Sequence, residues 1–365
     1  MTVPARLTVR AIRAVAVEVP MRHVLGTSQA AVRAAPLLLV DLETEEGVTG
    51  RAYLFCYVAA AAAGIMGILA EIERVTKGER VAPVDAWKKL ARRFTLIGVQ
   101  GIVRMAMSAF DVAAWDAIAI AHRVPLAELL GASPRPVRAY NSNGLGLMEP
   151  GALADEAEEL LEGGFGGVKL RLGYPTLAED LAAVGAVRAR IGDDVALMVD
   201  YNQALSVAEA IERGRRLDRE GLAWIEEPIR HDDYRGAARL AQELATPLQI
   251  GENFSLVQGM EQALEAGACD LVMPDLERIG GVTGWQRAAA LAAARGIEMS
   301  THLFPEVSVH LMCATPTAHW LEYVDWAAPV VAEPLRIVDG MAIPSARPGN
   351  GLAWNEEAVS RYRMA

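Results

Sequence analysis

Apolar residues in this chain follow two alternating rhythms. From about residue 137 onward, short runs of valine, leucine and isoleucine are separated by longer alanine-rich stretches whose apolar positions recur every three or four residues. The first rhythm predicts buried strands and the second amphipathic helices. The candidate strands are Val137–Asn141, Gly167–Leu172, Ala196–Asp200, Trp224–Glu227, Leu248–Gly251, Leu271–Pro274, Glu298–Ser300 and Trp320–Tyr323, at a mean spacing of about 26 residues. That is the period of βα units in a parallel barrel. Eight strands in about 190 residues fit a closed barrel better than an open doubly wound sheet, the alternative, and no GxGxxG follows a first strand. The first 130 or so residues read as α+β. Strands are expected at Leu7–Val19, Pro36–Leu42 and Val48–Phe55, and helices at Ala59–Glu73, Val84–Arg93 and Val99–Ala121. Pro20–Pro36 reads as a loop, and Gly131–Pro136 carries the Gly and Pro of a boundary. The tail, about Ala327–Ala365, has weak strands and is expected to fold back on the N-terminal part.

In the stretch GGVKLRLG, Lys169 and Arg171 alternate with Val168, Leu170 and Leu172. Strand geometry puts the two cations side by side on one face. Such a pair is costly to bury unless it faces negative charge. Barrel enzymes carry their chemistry at the C-terminal ends of strands, and here those ends carry Asp200, Glu226, Glu252, Asp275, His302 and Glu322. Asp200, Glu226 and Glu252 are spaced 26 residues apart twice over. Three carboxylates on adjacent strand ends repel one another without a cation; with one they form an oxygen-only site suited to Mg²⁺. Lys169 and Arg171 then offset the acids, and either serve a bound carboxylate as well or only neutralise the site. Asp275 and His302 fall on neighbouring predicted strands, where a carboxylate can orient the imidazole and raise its basicity. His23, His122, His231, His310 and His319 read on this pattern alone as ordinary packing or capping residues.

Composition narrows the picture. The chain has 365 residues and 46 acidic against 35 basic side chains, a net charge of −11. With no basic tract, nucleic acid is not an expected partner. Three scattered cysteines, Cys56, Cys269 and Cys313, argue against a disulfide framework and for a reducing cytoplasm. No apolar run is long enough to span a bilayer, so no membrane is expected.

The stretches GVKLRLGYP, MVDYNQAL, WIEEP, GENF, IGGVTGW and MSTHLFPEVSVHLMCATPTAHWLE, with the helix AFDVAAWDA at Ala109–Ala117, resemble the enolase superfamily, mandelate racemase subgroup, over nearly the whole chain. The resemblance implies an α/β protein: a modified TIM barrel, (β/α)₇β, at residues 133–326, an N-terminal α+β capping domain at 1–132, and a C-terminal segment at 327–365 returning to the cap. It implies that Asp200, Glu226 and Glu252 bind Mg²⁺ and that Lys169 polarises a substrate carboxylate. His302, oriented by Asp275, would remove the proton α to that carboxylate, and a protonated Glu322 would hydrogen-bond the resulting enediolate. Asn202 would contact the α-substituent and Ser142 the carboxylate, while Phe55 and Tyr57 match positions of an apolar pocket. The partner implied is a small-molecule carboxylate, and a homo-oligomer is expected.

The chain departs from the family at two places. The usual Lys-x-Lys is here Lys169-x-Arg171. Arginine is a poor general base, which weakens a symmetric two-base racemisation. The arm at Pro20–Pro36 also carries Arg22, His23 and Arg33, charges that either bind a second carboxylate or sugar hydroxyls or face solvent. The expected chemistry is Mg²⁺-dependent abstraction of an α-proton by a racemase-like isomerase of a 2-hydroxy acid. The alternatives are an acid-sugar dehydratase in which His302 is both base and acid, and a noncatalytic binding protein on the same scaffold.

Overall fold

A computed structural model describes residues 6–28 and 30–364; residues 1–5, Gln29 and Ala365, which belong to the expected cap, arm and tail, lie outside the described residues. The chain opens with an antiparallel sheet of β1 (Val9–Gly26), β2 (Ala31–Thr44) and β3 (Thr49–Phe55). Its buried face packs on the helices α1 (Ala59–Thr76) and α3 (Gly101–His122), against which α2 (Pro83–Arg93) lies. α3 is apolar nearly all round because it is buried between this sheet and the barrel.

The segment read as a loop at Pro20–Pro36 is instead a two-stranded ribbon. β1 and β2 pair from Val9 opposite Thr44 to Pro20 opposite Ala34, break register, and resume with Leu25 opposite Val32 and Gly26 opposite Ala31. Pro20 lacks an N–H, and the register slips just past it. Pro20, Gly26 and the charges in the arm resemble loop punctuation. The strand state comes from a partner a dozen residues away, which local composition does not report.

The second sheet is the barrel wall. It runs in parallel through β4 (Val137–Asn141), β5 (Gly167–Arg171), β6 (Ala196–Asp200), β7 (Trp224–Glu226), β8 (Leu248–Ile250) and β9 (Leu271–Val272). β10 (Leu321–Tyr323) pairs in parallel with β4 and closes the ring. The expected strand at Glu298–Ser300 survives only as bridges, Val272 to Met299 and Met299 to Ala318, followed by Asp275 to His302. These strands are buried on both faces, which explains their almost unbroken apolar runs. The tail supplies the hairpin β11 (Arg336–Val338) and β12 (Met341–Ile343), which pairs antiparallel with β4. It then reaches the cap: Val17 bridges Arg363, and Trp354 Nε1 donates to Asp41 Oδ1 at 2.8 Å.

His310 lies in the helix Pro305–Cys313, fully buried beside the Asn350 backbone. Burial pushes its pKa down to about 4. The unfolded chain takes up a proton near pH 6.5 that the folded protein refuses, so this group's contribution to stability is intact above pH 6.5 and is lost as pH falls toward 4. Between pH 7 and pH 5 this one residue should cost about 2 kcal/mol. Urea unfolding of the wild type and of His310→Leu at both pH values measures it: the variant should show the smaller pH-dependent loss, and equal losses would remove His310 as the cause.

Candidate active site

Parallel register builds the centre of the site. Arg171 on β5 is paired with Asp200 on β6, and Asp200 with Glu226 on β7. Side-chain alternation along β5 turns both Lys169 and Arg171 into the ring, where each is almost fully buried. Lys169 Nζ is 2.6 Å from Glu226 Oε1, 2.8 Å from Glu322 Oε1 and 3.7 Å from Asp200 Oδ2. Burial alone would pull its pKa down, but Glu226, Glu322 and Asp200 more than reverse that and hold the ammonium above its ordinary value. The Arg171 guanidinium donates to the Ser142 hydroxyl at 3.2 Å and to the Lys169 carbonyl at 3.2 Å, and its Nε is 3.8 Å from Asp200 Oδ2. Ser142 in turn donates to Glu322 at 2.7 Å.

Asp200, Glu226 and Glu252 each present an oxygen within 4.8 Å of the others. Burial pushes the Glu226 carboxyl up to about 7; Lys169 opposes the rise, and Asp200, Glu322 and Glu252 add to it. Burial likewise raises Asp200, against Lys169 and Arg171. Glu252 escapes the rise because His302, Arg278 and Lys169 outweigh its burial. Asn202 braces the ligand set, donating from its backbone and its amide to Asp200 at 2.8 and 2.9 Å. Three carboxylates that converge and offer only oxygen donors fit a hard divalent cation.

His302 Nδ1 lies 2.6 Å from Asp275 Oδ2, and Nε2 lies 3.2 Å from Glu252 Oε2. Asp275 also caps the short helix Leu276–Ile279 through the amides of Glu277 and Arg278, so it is fixed from behind. It accepts from Nδ1, which leaves Nε2 as the basic nitrogen toward the cavity. Burial depresses the ring's pKa, but Glu252, the Asp275 hydrogen bond and Glu322 raise it to about 9. Opposing influences act on Glu322. Its burial favours the acid, yet Lys169 and His302 keep it well below the usual carboxylate range, and it accepts from Ser142 and from the Leu303 amide at 2.8 Å. The backbone beside these groups is left-handed at Asn202 (φ 47°), Glu227 (φ 34°) and Leu303 (φ 53°). Strained non-glycine residues cluster where side chains must be aimed.

Above the acids lies a cavity of about 380 Å³. Lys169, Arg171, Asp200, Asn202, Glu252, His302 and Glu322 line its floor, and Phe55 and Tyr57 line its roof. Arg22 and His23 do not reach it. Arg22 pairs with Glu159, and His23 Nδ1 sits 3.5 Å from Glu156 in a separate polar hollow. Arg33 is exposed on β2 and outside the cavity lining. The ribbon's pleat turns Leu25 and Val32 inward, and Arg22 and Arg33, each an odd number of residues away, fall to the other side. Replacing both Arg22 and Arg33 with alanine should lower kcat/KM by less than about threefold, equally for every acid, since exposed ion pairs contribute little. Steady-state kinetics on a monoacid and a diacid check this, and an acid-dependent change would return them to the site.

Arg278 and Trp326 line the cavity and were not singled out in the sequence. Arg278 donates to the Glu252 carbonyl at 3.3 Å and to Asn253, and its guanidinium stacks 4.7 Å from the Tyr57 ring centroid. Its place three residues after Asp275, in the helix that Asp275 caps, is a signal that could have found it.

Two family descriptions match the chain: "Mandelate racemase / muconate lactonizing enzyme, N-terminal domain" over residues 9–131 and "Enolase C-terminal domain-like" over residues 152–358. The L-talarate/galactarate dehydratase of Salmonella typhimurium is 34% identical, over 88% of this chain and 81% of its own length. The 3,6-anhydro-alpha-L-galactonate cycloisomerase of Streptomyces coelicolor is 32% identical, over 90% of this chain and 91% of its own. Among solved structures, an enolase from Bradyrhizobium complexed with magnesium and mandelic acid superposes with a TM-score of 0.95 at 40% identity, over 100% of both chains. An enolase from the alpha proteobacterium bal199 with bound Mg gives 0.96 at 46% identity, over 98% of this chain and 100% of its own.

Proposed function

Because the chain belongs to the mandelate racemase subgroup of the enolase superfamily, we propose that it is a Mg²⁺-dependent enzyme that removes the proton α to a carboxylate from one face and then expels a β-hydroxyl as water. The observation that carries this reading is the asymmetry of the site: an Asp275–His302 pair at 2.6 Å with arginine, not lysine, at position 171. Asp200, Glu226 and Glu252 would hold the cation, whose charge stabilises the second negative charge that proton loss places on the carboxylate. Lys169, on the cavity floor, is placed to hold that carboxylate; Ser142 lies outside the cavity lining and links Arg171 to Glu322, and Arg171, fixed by Ser142 and the Lys169 carbonyl, supplies a standing positive charge. His302 Nε2 takes the α-proton and, on the same face, returns a proton to the leaving hydroxyl.

Racemisation of a 2-hydroxy acid is a second reading, favoured by the likeness to the mandelate-bound Bradyrhizobium protein. It needs a base on the opposite face, and guanidinium is protonated throughout the working range. Proton NMR in D₂O with Mg²⁺ separates the two. The proposal expects α-exchange from one configuration only, and a 2-oxo acid product where a β-hydroxyl is present. Equal exchange from both configurations near neutral pH would overturn it.

A further inference from the structure

We propose that the substrate is a monocarboxylic 2,3-dihydroxy acid whose third carbon bears an apolar group, aryl or branched alkyl, and not a sugar acid with a hydroxylated chain or a second carboxylate. This rests on the one-base dehydration proposed above and adds the identity of the substrate's distal end.

The roof of the cavity carries the argument. Phe55 stands between two other rings, Tyr57 with centroids 4.5 Å apart and Trp326 at 5.1 Å. Leu25 and Val32 extend this wall from the ribbon, where they face each other across the β1–β2 ladder. Several polar side chains of the cavity are engaged within the protein. Asn202 and Asn253 hold Asp200 and Glu252 at the floor, at 2.9 and 3.0 Å. Gln203 accepts from the His231 amide at 3.1 Å, and the Thr27 hydroxyl donates to the Ala30 carbonyl at 3.2 Å.

The same holds for positive charge. Among the described residues lining the cavity, Lys169, Arg171, Arg278 and His302 are the basic ones. Lys169, Arg171 and His302 face the acids of the floor. Arg278 lies against the Tyr57 ring and is tied to Glu252 and Asn253. Among the described residues, a second carboxylate at the roof would meet only Arg278, already stacked on Tyr57 and bonded to the Glu252 carbonyl and Asn253, because Arg22 and Arg33 stand outside the cavity. Hydroxyls pressed on three aromatic rings would lose their water without replacement, whereas an apolar group there gains by burial.

The reaction balances without a further reactant. For R–CH(OH)–CH(OH)–COO⁻, His302 takes the Cα proton, the bonding pair enters the enediolate, and the Cβ–O bond breaks as His302 protonates the departing oxygen. The enol ketonises to R–CH₂–CO–COO⁻, with one water released.

The test compares 2,3-dihydroxy-3-phenylpropanoate and 2,3-dihydroxy-4-methylpentanoate with a five-carbon aldonate and a six-carbon aldarate, all with Mg²⁺. Product 2-oxo acid is followed, and calorimetry measures binding to His302→Asn protein, in which chemistry is stopped. The expected result is a kcat/KM at least about 10²-fold higher for the apolar acids, with the same order in binding. Val32→Arg, on the exposed ribbon, should narrow the gap to the aldarate by about tenfold or more by bringing a cation to the roof. If the sugar acids exchange and dehydrate faster than the apolar ones, the apolar wall does not set the substrate, although one-base dehydration stands. If the apolar acids bind and exchange but lose no water, the dehydration reading falls and the apolar specificity survives. If none of the four exchanges or binds, both fall.

Discussion

Glu226→Gln protein should lose divalent-cation dependence and about 10³-fold or more of kcat/KM, with its fold intact. Glu226 is the pivot of the floor. One oxygen receives Lys169 at 2.6 Å, and the other receives Trp224 Nε1 at 3.1 Å. Glutamine keeps the volume and an acceptor for Trp224, but removes one of three negative charges that share a cation. Calorimetric titration with Mg²⁺ should show affinity weakened by about tenfold or more, while circular dichroism and urea midpoints stay close to the wild type. Unchanged Mg²⁺ affinity together with unchanged activity would remove Asp200, Glu226 and Glu252 as the cation site.

The second large effect belongs to the base. His302→Asn should abolish exchange of the favoured configuration, a fall of about 10³-fold or more, typical of a lost general base held in place. Mg²⁺ affinity should survive, since the imidazole is not among the three carboxylates that meet within 4.8 Å. The converse experiment is Arg171→Lys. A lysine can lose its proton where arginine, with its far higher intrinsic pKa, cannot. Exchange from the disfavoured configuration should then rise by a larger factor than any change on the His302 side. Deuterium exchange from each separated configuration at several pH values reads both variants. Parallel changes on the two faces would show that His302 and position 171 do not serve opposite sides.

The contrast between residues that could be assigned from sequence and those that could not follows the range of the forces involved. Asp200, Glu226 and Glu252 were legible because a βα repeat turns chain spacing into spatial adjacency: consecutive strand ends are neighbours on one rim. Lys169 and Arg171 were legible because a strand's pleat is strictly two-residue. Asp275 and His302 were legible for the same topological reason, although His302 follows a segment that forms bridges in place of a full strand. The arm, which reads as a loop, is a ribbon that lines the cavity with Leu25 and Val32 and not with Arg22, His23 or Arg33. Its strand state depends on pairing across the β1–β2 ladder, and one step of register decides whether Arg22 or Leu25 meets the cavity.

Glu322 marks a different boundary. Its strand-end position came from the pattern, but the cations that face it, Lys169 at 2.8 Å and His302, fold in from other strands. Arg278 and Trp326 belong here too, since neither stands at a predicted strand end and both become part of the cavity when cap and barrel meet. The sequence by itself determined the barrel, the cap, the acid cluster and the dyad. These follow from periodicity and from strand order, which are local properties of the chain repeated in a regular topology. Only the tertiary structure decided which face of the ribbon looks inward, which cations are already spent on acids, and that the roof of the cavity is aromatic. Those depend on desolvation and contact between residues hundreds of positions apart, and no local pattern encodes them.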